Sequence, residues 1–286
     1  MFLPRKILEG KIRRFFEEDV GQGDITLLII PNGTIVEAEV IAKEDGIIAG
    51  VEEALTFLEG FGLQASALVS DGARVEGKST IVKIVGDART LLSIERTLLN
   101  LLTRMSGIAT TTRRLVEKVR GAGHKTRVAC TRKVAPGLSY FDKRAVMLGG
   151  GDTHRLHLDD LILIKDNHLA IVGDIDQAVK NAKGAVSFSK KIEVEVSTAD
   201  DALEAARAGA DIIMLDNFSP ERVKEAVALL EGEGLRNRVL IEASGGINEQ
   251  NILKFAATGV DILSLGEITD SVKALDMSLE VMRVSK

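Results

Sequence analysis

Hydrophobic and polar positions follow a repeating order in the second half of the chain. From Gly184 onward, a short apolar run is followed by a turn and then by an amphipathic stretch. The apolar runs predict strands at Lys191–Val196, Asp211–Leu215, Arg238–Ala243 and Asp261–Leu265. The amphipathic stretches predict helices at Thr198–Ala208, Pro220–Leu230 and Glu249–Thr258. Their predicted caps are Ser197 or Thr198, then Ser219, then Asn248. Parallel strands joined by helical crossovers predict an α/β barrel.

The first part of the chain has a different pattern. Strand-like runs are predicted at Val36–Ala42, Gly46–Gly50 and Thr80–Val85, and helices at Arg5–Glu18 and Glu52–Glu59. This mixture indicates a separate α+β module. The helical stretch Thr90–Arg104 joins it to Met105–Val119, with an interruption at Ser106-Gly107, so we place the domain boundary near residue 105. Lys125–Cys130 and Leu161–Ile164 add two more buried strands to the barrel.

Composition narrows the class of protein. The 286 residues, 45% hydrophobic and 28% charged, are typical of a globular enzyme with a large barrel or about two domains. The net charge of -5 gives no overall attraction to nucleic acid, and no apolar run reaches the roughly 20 residues that cross a membrane. Because Met1–Gly10 lacks the features of a secretory signal, we expect a cytoplasmic protein. The single cysteine, Cys130, is predicted to be a buried strand residue rather than a nucleophile.

Each predicted barrel strand is followed by polar or glycine residues. They are Thr131-Arg132-Lys133, Lys165-Asp166-Asn167-His168, Glu195, Asp216-Asn217, Ser244-Gly245-Gly246 and Gly266-Glu267. Active sites of α/β barrels form at this end of the strands. The segment from Thr131 to His168 is rich in cations in a chain of negative net charge, so it favours an anion-binding site. An orienting role of His168 toward Lys165 remains open.

These residues resemble the signature of the quinolinate phosphoribosyltransferase family, also called nicotinate-nucleotide pyrophosphorylase (carboxylating). The resemblance covers most of the chain and rests on motifs in this order: Gly23-Asp24-Ile25-Thr26, Glu95-Arg96-Thr97, Ser106-Gly107-Ile108-Ala109-Thr110, the run from Thr131 to His168, Glu193-Val194-Glu195-Val196, Met214-Leu215-Asp216-Asn217 and Glu242-Ala243-Ser244-Gly245-Gly246-Ile247. Val134, Ala135, Ser139 and Glu267 depart from the usual family pattern. The departures concern phosphate contacts and leave the basic residues intact.

The resemblance implies a fold and a division of the chain. The expected fold is α/β, with an N-terminal α/β sandwich domain and an open, TIM-like α/β barrel. The sandwich would comprise residues 1–105 joined by 272–286, and the barrel residues 106–271. The assembly implied is a homodimer with a shared active site, or a higher oligomer.

The resemblance also implies the reaction and its residues. The substrates would be quinolinate and phosphoribosyl pyrophosphate, and the products nicotinate mononucleotide, pyrophosphate and carbon dioxide, in NAD biosynthesis. Quinolinate would contact Arg132, Lys133, His154, Arg155 and Lys165, with Arg96 entering from the partner subunit. Ser244, Gly245, Gly246 and Gly266 would hold the 5'-phosphate, and Ser264 would also bind substrate. Lys133, Lys165, Glu195 and Asp216 would be catalytic, and Glu195 and Asp216 would bind Mg²⁺, directly or through water.

The chemistry of this reaction fits these residue types. Quinolinate carries two adjacent carboxylates, and arginine binds a carboxylate through two charge-assisted hydrogen bonds. Carboxylates beside the ribose stabilise an oxocarbenium-like carbon, and glycines allow backbone N–H groups to approach a phosphate. No organic cofactor is expected.

Three alternatives are weighed against this interpretation. A phosphoribosyltransferase for a monocarboxylate such as nicotinate, or a molybdenum-associated paralogue, would share the barrel. A Schiff-base aldolase would use Lys165 at its strand end. A non-catalytic nucleotide-sensing protein would bind without turnover. The number of cationic residues favours quinolinate transfer over all three.

Overall fold

The computed structural model describes residues 3–285, and their backbone contacts form two compact units. The first unit runs to Arg113 and takes in Arg144–Gly150 and the segment from Val272. The second unit comprises Arg114–Lys143 and Gly151–Ser271. The contacts therefore divide the chain at Arg113 rather than near residue 105. Met1, Phe2 and Lys286, which the predicted domains include, lie outside the described residues.

The elements alternate between short strands and helices. Up to the middle of the chain they are α1 (Arg5–Val20), a 3-10 turn (Ile25–Ile29), β1 (Ile35–Ala42), β2 (Gly46–Ile47), α2 (Val51–Gly60), β3 (Gln64–Ala67), β4 (Arg74–Val75), β5 (Thr80–Asp87), α3 (Ala88–Gly121), β6 (Arg127–Cys130) and α4 (Ser139–Leu148). The remainder are β7 (Ile162–Ile164), α5 (Asp166–Val172), α6 (Ile175–Ala185), β8 (Ile192–Val196), α7 (Ala199–Ala208), β9 (Ile212–Asp216), α8 (Pro220–Gly232), a 3-10 turn (Arg236–Arg238), β10 (Leu240–Ser244), α9 (Ile252–Ala256), β11 (Ile262–Leu265), α10 (Glu267–Asp270) and β12 (Met277–Ser285). No helix in the described range is long and apolar enough to span a bilayer.

The first unit is built on an antiparallel sheet with the strand order β12-β1-β5-β3. Along β1 every second residue, from Val36 to Ala42, is buried, as expected for a strand with one face toward a core. β12 comes from the far end of the chain and pairs with β1 over its full length. This pairing incorporates residues 277–285 into the N-terminal unit.

Helix α3 is unbroken across Ser106-Gly107, so the predicted interruption is wrong. Ser106 is fully buried, and its hydroxyl accepts a hydrogen bond from the Ala49 N–H at 3.0 Å. A Cβ at Gly107 would lie 2.1 Å from the Lys273 carbonyl oxygen. The two small residues therefore allow other backbone segments to approach the helix.

The second unit contains a parallel sheet with the order β6-β11-β10-β9-β8-β7, and the predicted open α/β barrel is confirmed. Its strands are buried on both faces, as the four consecutive buried residues of β11 illustrate. Thr198 and Ser219 cap α7 and α8 as predicted. The helix predicted at Glu249–Thr258 is shorter. Asn248 caps a turn instead, because its side chain accepts from the N–H groups of Gln250 and Asn251, and α9 follows that turn.

Candidate active site

A cavity of about 570 Å³ lies at the carboxyl ends of the parallel strands of the second unit, where α/β barrels form their active sites. It is lined by Cys130, Thr131, Arg132, Lys133, His154, Arg155, Leu163, Lys165, Glu195, Met214, Asp216, Asn217, Glu242, Ser244, Gly245, Gly246, Ile247, Ser264 and Gly266. Every residue predicted for the site is among them except Arg96. Arg96 is exposed on α3 in the first unit.

Two segments of backbone carry the cations of one wall. The end of β6 runs parallel to the segment around Asp152, with a bridge between Ala129 and Asp152. The Cys130 N–H donates to the Asp152 carbonyl oxygen at 3.1 Å. We call the two continuations of these segments the cation loops: residues 131–133 carry Arg132 and Lys133, and residues 153–155 carry His154 and Arg155. All four of these cationic side chains line the cavity.

The arginines of the two cation loops are electrostatically coupled. Burial, and next the positive charge of Arg132, lower the pKa of the Arg155 guanidinium. Two like charges on neighbouring loops repel each other and are relieved by an anion placed between them. This wall of the cavity is therefore suited to a ligand with more than one negative charge.

His154, in the second cation loop, is held by two buried carboxyl groups. Its Nε2 lies 3.0 Å from Glu242 Oε2 and 3.4 Å from Glu193 Oε2, and both glutamates are fully buried. Burial alone would lower the pKa of His154, but the hydrogen bonds and charges of the two glutamates outweigh it and raise the pKa to about 10. Burial also raises the pKa of Glu193. The cluster therefore keeps the imidazole protonated and its proton directed toward the carboxyl groups.

Sequence reasoning missed the roles of Glu193 and Glu242. Each stands inside a mostly apolar strand, β8 or β10, and the pattern of such a strand indicates only that it is buried in the barrel. An ionisable residue in such a position requires a partner, because an unpaired buried carboxylate is costly. A glutamate inside a predicted buried strand is therefore the sequence feature that indicates such a cluster.

At the ends of β7 and β8, Lys165 and Glu195 form an ion pair. Lys165 Nζ donates to Glu195 Oε2 at 2.9 Å. The backbone N–H of Lys165 donates to His168 Nδ1 at 3.0 Å, so the imidazole fixes the backbone from which Lys165 projects. This contact is the kind that an orienting role of His168 requires. The pair places one positive and one negative charge at the ends of adjacent strands, β7 and β8.

The turn after β9 contacts the residue that follows Ser244 at the end of β10, and this contact explains why that residue is glycine. Asn217 adopts a positive φ of 56° and donates from its side chain to Asp216 Oδ2 at 2.6 Å. A Cβ at Gly245 would lie 2.2 Å from Asn217 Oδ1, and Gly245 itself has a φ of 91°. Only glycine fits this conformation and this close approach. The Asp216 carboxylate is thereby held at the cavity wall.

Backbone and small side chains form the remaining wall. Ser264 is buried, and its hydroxyl has no hydrogen-bond partner among the described residues. A Cβ at Gly266 would lie 2.8 Å from Asp270 Oδ2 and 3.2 Å from the stem of Lys133. The helix that follows this wall, α9, begins only at Ile252 and has five residues, so it does not start at Asn248 as the sequence pattern indicates.

Cys130 is fully buried and lies at the end of β6, as predicted for a structural cysteine. Burial raises the pKa of its thiol. A thiol that stays protonated is a poor nucleophile. Cys130 is therefore poorly suited to act as a nucleophile.

Taken together, the fold and the cavity define an α/β-barrel enzyme whose cavity is built for an anionic ligand. Comparison with known proteins identifies the family. Residues 24–106 match the quinolinate phosphoribosyl transferase N-terminal domain, and residues 108–280 match the C-terminal domain of the same family. The chain therefore belongs to the quinolinate phosphoribosyltransferase family.

Individual relatives agree over nearly their whole length. The chain is 48% identical over 271 residues to a probable nicotinate-nucleotide pyrophosphorylase [carboxylating] of Methanothermobacter thermautotrophicus, covering 94% of this chain and 97% of the relative. It is 34% identical to the human nicotinate-nucleotide pyrophosphorylase [carboxylating], covering 98% and 94%. The solved structure of the nicotinate-nucleotide pyrophosphorylase from Francisella tularensis matches with a TM-score of 0.88 at 38% identity, covering 98% of both chains.

Proposed function

We propose that this chain transfers the phosphoribosyl group of phosphoribosyl pyrophosphate to quinolinate and releases carbon dioxide, in the cytoplasmic synthesis of NAD. The pyridine nitrogen forms a bond to the anomeric carbon of the ribose as the bond to pyrophosphate breaks. The bond between ring carbon 2 and its carboxylate then breaks. Carbon dioxide leaves, and the electron pair stays on carbon 2, which takes up a proton to give nicotinate mononucleotide.

The observation that carries this proposal is the pair of cation loops on one wall of the cavity. Arg132 and Arg155 are close enough for the charge of one to lower the pKa of the other, and His154 adds a third positive charge. Two adjacent carboxylates on a flat ring match such a set, because each guanidinium can bind one carboxylate through two hydrogen bonds. A monocarboxylate such as nicotinate would leave part of this charge unneutralised.

Glu195 and Asp216 are assigned to the ribose. Glu195 is the last but one residue of β8, Asp216 is the last residue of β9, and both line the cavity. Negative charge there stabilises the positive charge that develops on the anomeric carbon. Their carboxylate oxygens are also the hard donors that Mg²⁺ prefers, so the donor set fits this ion. Bound there, Mg²⁺ would neutralise charge on the pyrophosphate.

The wall formed by Ser244, Gly245, Gly246, Ser264 and Gly266 is assigned to the 5'-phosphate. The unpartnered Ser264 hydroxyl supports this assignment, since a buried donor without a partner is costly until a ligand accepts from it. The two consecutive glycines with positive φ support it as well, because such turns present backbone N–H groups to anions.

Lys133 and Lys165 are assigned to charge that moves during the reaction. An ammonium on a flexible stem can follow negative charge from the substrate to a leaving group or to ring carbon 2. The ion pair between Lys165 and Glu195 argues against a Schiff-base aldolase, because imine formation requires a neutral amine.

Arg96 is assigned to the quinolinate pocket of a partner subunit in a homodimer with shared active sites. Its exposure on α3 supports this assignment. Mixing an inactive Arg96→Ala chain with an inactive Lys165→Ala chain tests it, since a mixed dimer would contain one site built from both intact contributions. Return of activity after verified subunit exchange is the expected result. Exchange without activity would refute the shared site.

An omission assay tests the function itself. Purified protein is given quinolinate labelled in its 2-carboxylate, and released carbon dioxide is measured with and without phosphoribosyl pyrophosphate and with and without Mg²⁺. Release that requires both is expected. Binding of both substrates without release would instead favour a non-catalytic nucleotide-sensing protein.

A further inference from the structure

Lys143 carries a buried ammonium group beside the cation loops. It lies on α4 and is only 1% exposed to solvent. It is not among the residues that line the cavity. A buried lysine is costly unless its charge is well solvated by the protein, so its surroundings need an explanation.

Three acceptors surround the ammonium. Nζ donates to the Thr153 carbonyl oxygen at 2.6 Å and to the Thr131 carbonyl oxygen at 3.2 Å, and it lies 3.6 Å from Cys130 Sγ. A lysine ammonium has three N–H donors. All three of its donors therefore have acceptors, and each acceptor belongs to a residue at the base of a cation loop.

The position of these acceptors along the backbone is specific. The last backbone hydrogen bond between the two segments joins Cys130 N–H to the Asp152 carbonyl oxygen. One residue further on, the carbonyl groups of Thr131 and Thr153 both accept from Lys143. The ammonium therefore links the two backbone segments just beyond their last direct hydrogen bond. Arg132 and His154 are the next residues along the two segments.

One of the two loops also has a backbone that needs support. His154 has a positive φ of 50°, a conformation that non-glycine residues rarely adopt. Its N–H donates to Asp152 Oδ1 at 3.0 Å, and the Thr153 carbonyl oxygen just before it also accepts from the Cys130 thiol at 3.4 Å. Such a conformation persists only when surrounding contacts determine it.

We propose that Lys143 is a positioning residue that sets the separation of the two cation loops and thereby the preference for a dicarboxylate over a monocarboxylate. This inference rests on the proposed function. Lys143 does not touch the substrate in this account. It acts through Thr131 and Thr153 on the directions in which Arg132 and the His154-Arg155 pair enter the cavity.

A merely structural role makes a different prediction. If Lys143 only filled space and stabilised the fold, its loss would lower the melting temperature and the folded fraction, but the folded protein would bind each ligand as before. Methionine has a similar length and no donors, so Lys143→Met preserves most of the packing and removes all three hydrogen bonds. The ratio of affinities for different ligands therefore separates the two roles.

The experiment measures dissociation constants for quinolinate, nicotinate and phosphoribosyl pyrophosphate by calorimetry on wild-type and Lys143→Met protein. The control variant is Lys183→Met, which removes an exposed ammonium that donates to the Ala208 carbonyl oxygen at 2.7 Å outside the cavity. For Lys143→Met we expect quinolinate affinity to fall about tenfold or more, and phosphoribosyl pyrophosphate affinity to fall less than about threefold. Preference for quinolinate over nicotinate should fall in parallel. Lys183→Met should match wild type.

Unchanged quinolinate affinity, or an equal loss for all ligands, would overturn the positioning role. If Lys143→Met shows no cooperative melting, Lys143→Gln, which keeps an amide donor group, is measured in the same way and judged by the same ratio. If wild-type protein itself neither binds quinolinate nor releases carbon dioxide, the proposed function fails. If wild-type protein binds quinolinate and releases carbon dioxide, and Lys143→Met shows the same ratio of affinities for the ligands as wild type, only the role of Lys143 is overturned.

Discussion

Each unit of the molecule buries glutamate side chains around a cationic partner, and the two clusters differ in that partner. In the first unit the fully buried Glu53 lies 2.8 Å from Arg144 Nε. In the second unit the fully buried Glu193 and Glu242 surround His154. Arginine cannot release its proton in a protein, whereas histidine can. The partner therefore decides what each cluster can do.

The arginine cluster contains more carboxyl groups than cations. Besides Glu53, Arg144 pairs with Glu52 and lies 3.3 Å from Asp71. Burial, only partly offset by Arg144, raises the pKa of Glu53 to about 7. Asp71 also accepts from the Gly50 N–H at the start of α2. This arrangement fixes the helix and the protein backbone around it, so its role is structural.

The histidine cluster lies in the cavity wall, where its charge can act on a ligand. His154 and Glu242 both line the cavity, and the cluster keeps the imidazole protonated at neutral pH. The contrast shows that burial of a glutamate alone does not indicate a ligand-binding site. A titratable partner that also lines a cavity is the feature that indicates one.

The largest expected effect is the loss of stability in Arg144→Met. The substitution leaves up to three carboxyl groups without their cation, and breaking a buried pair in this way typically costs about 3 to 5 kcal/mol. Urea unfolding measures it. Arg207→Met is the matched control, because Arg207 and Glu233 form an exposed pair at 2.7 Å that contributes about 1 kcal/mol or less. Equal losses in the two variants would contradict the structural role of the arginine cluster.

The next effect is a dependence of stability on pH. Because the folded pKa of Glu53 is raised from 4.5 to about 7, its contribution is fully present below pH 4.5 and is lost as pH rises through about 7. The loss is about 3 kcal/mol at one pKa unit per 1.36 kcal/mol. Unfolding free energies of wild type and Glu53→Gln, compared from pH 4.5 to 8, should converge at the acidic end. By the same sign rule, the contribution of His154 persists until pH rises toward about 10. Parallel pH curves for the two proteins would refute the shift at Glu53.

A smaller effect is expected on ligand binding in Glu242→Gln. The variant removes the carboxylate that holds His154 Nε2 at 3.0 Å, so the imidazole in the cavity is less firmly positioned, and quinolinate binding should weaken by about 2 kcal/mol. Calorimetry at pH 8 measures the change. Glu53→Gln serves as the comparison and should bind quinolinate like wild type. Wild-type binding by a folded Glu242→Gln protein would show that the two clusters do not differ in function.

The sequence predicted the barrel and the wall of cations because both depend on local pattern. Short apolar runs predict the strands. The polar residues that follow them, such as Lys165, predict the edge of the sheet formed by the carboxyl ends of the strands. Local pattern did not predict the pairing of β12 with β1, because that pairing joins residues far apart in the chain. Only the family resemblance assigned residues 272–286 to the N-terminal domain. The unbroken α3 was missed for the same reason, since Gly107 is explained by contact with Lys273.

The site was predicted less completely than the fold. Residue type indicated Arg132, Arg155 and the glycines that we assign to the 5'-phosphate. The sequence pattern indicated neither Lys143, which we propose as a positioning residue, nor Glu242, the partner of His154. No element was predicted at Lys143, and the run around Glu242 indicates only a buried strand. Their roles follow from three-dimensional neighbours, which a single sequence does not contain.

The central claim is that the cavity selects a dicarboxylate, and a side-by-side turnover measurement tests it most directly. Purified protein with phosphoribosyl pyrophosphate and Mg²⁺ is given quinolinate or nicotinate, and nicotinate mononucleotide, pyrophosphate and carbon dioxide are quantified. The account predicts one pyrophosphate and one carbon dioxide for each nucleotide formed from quinolinate, with little or no product from nicotinate. A kcat/KM for nicotinate equal to or above that for quinolinate would contradict it.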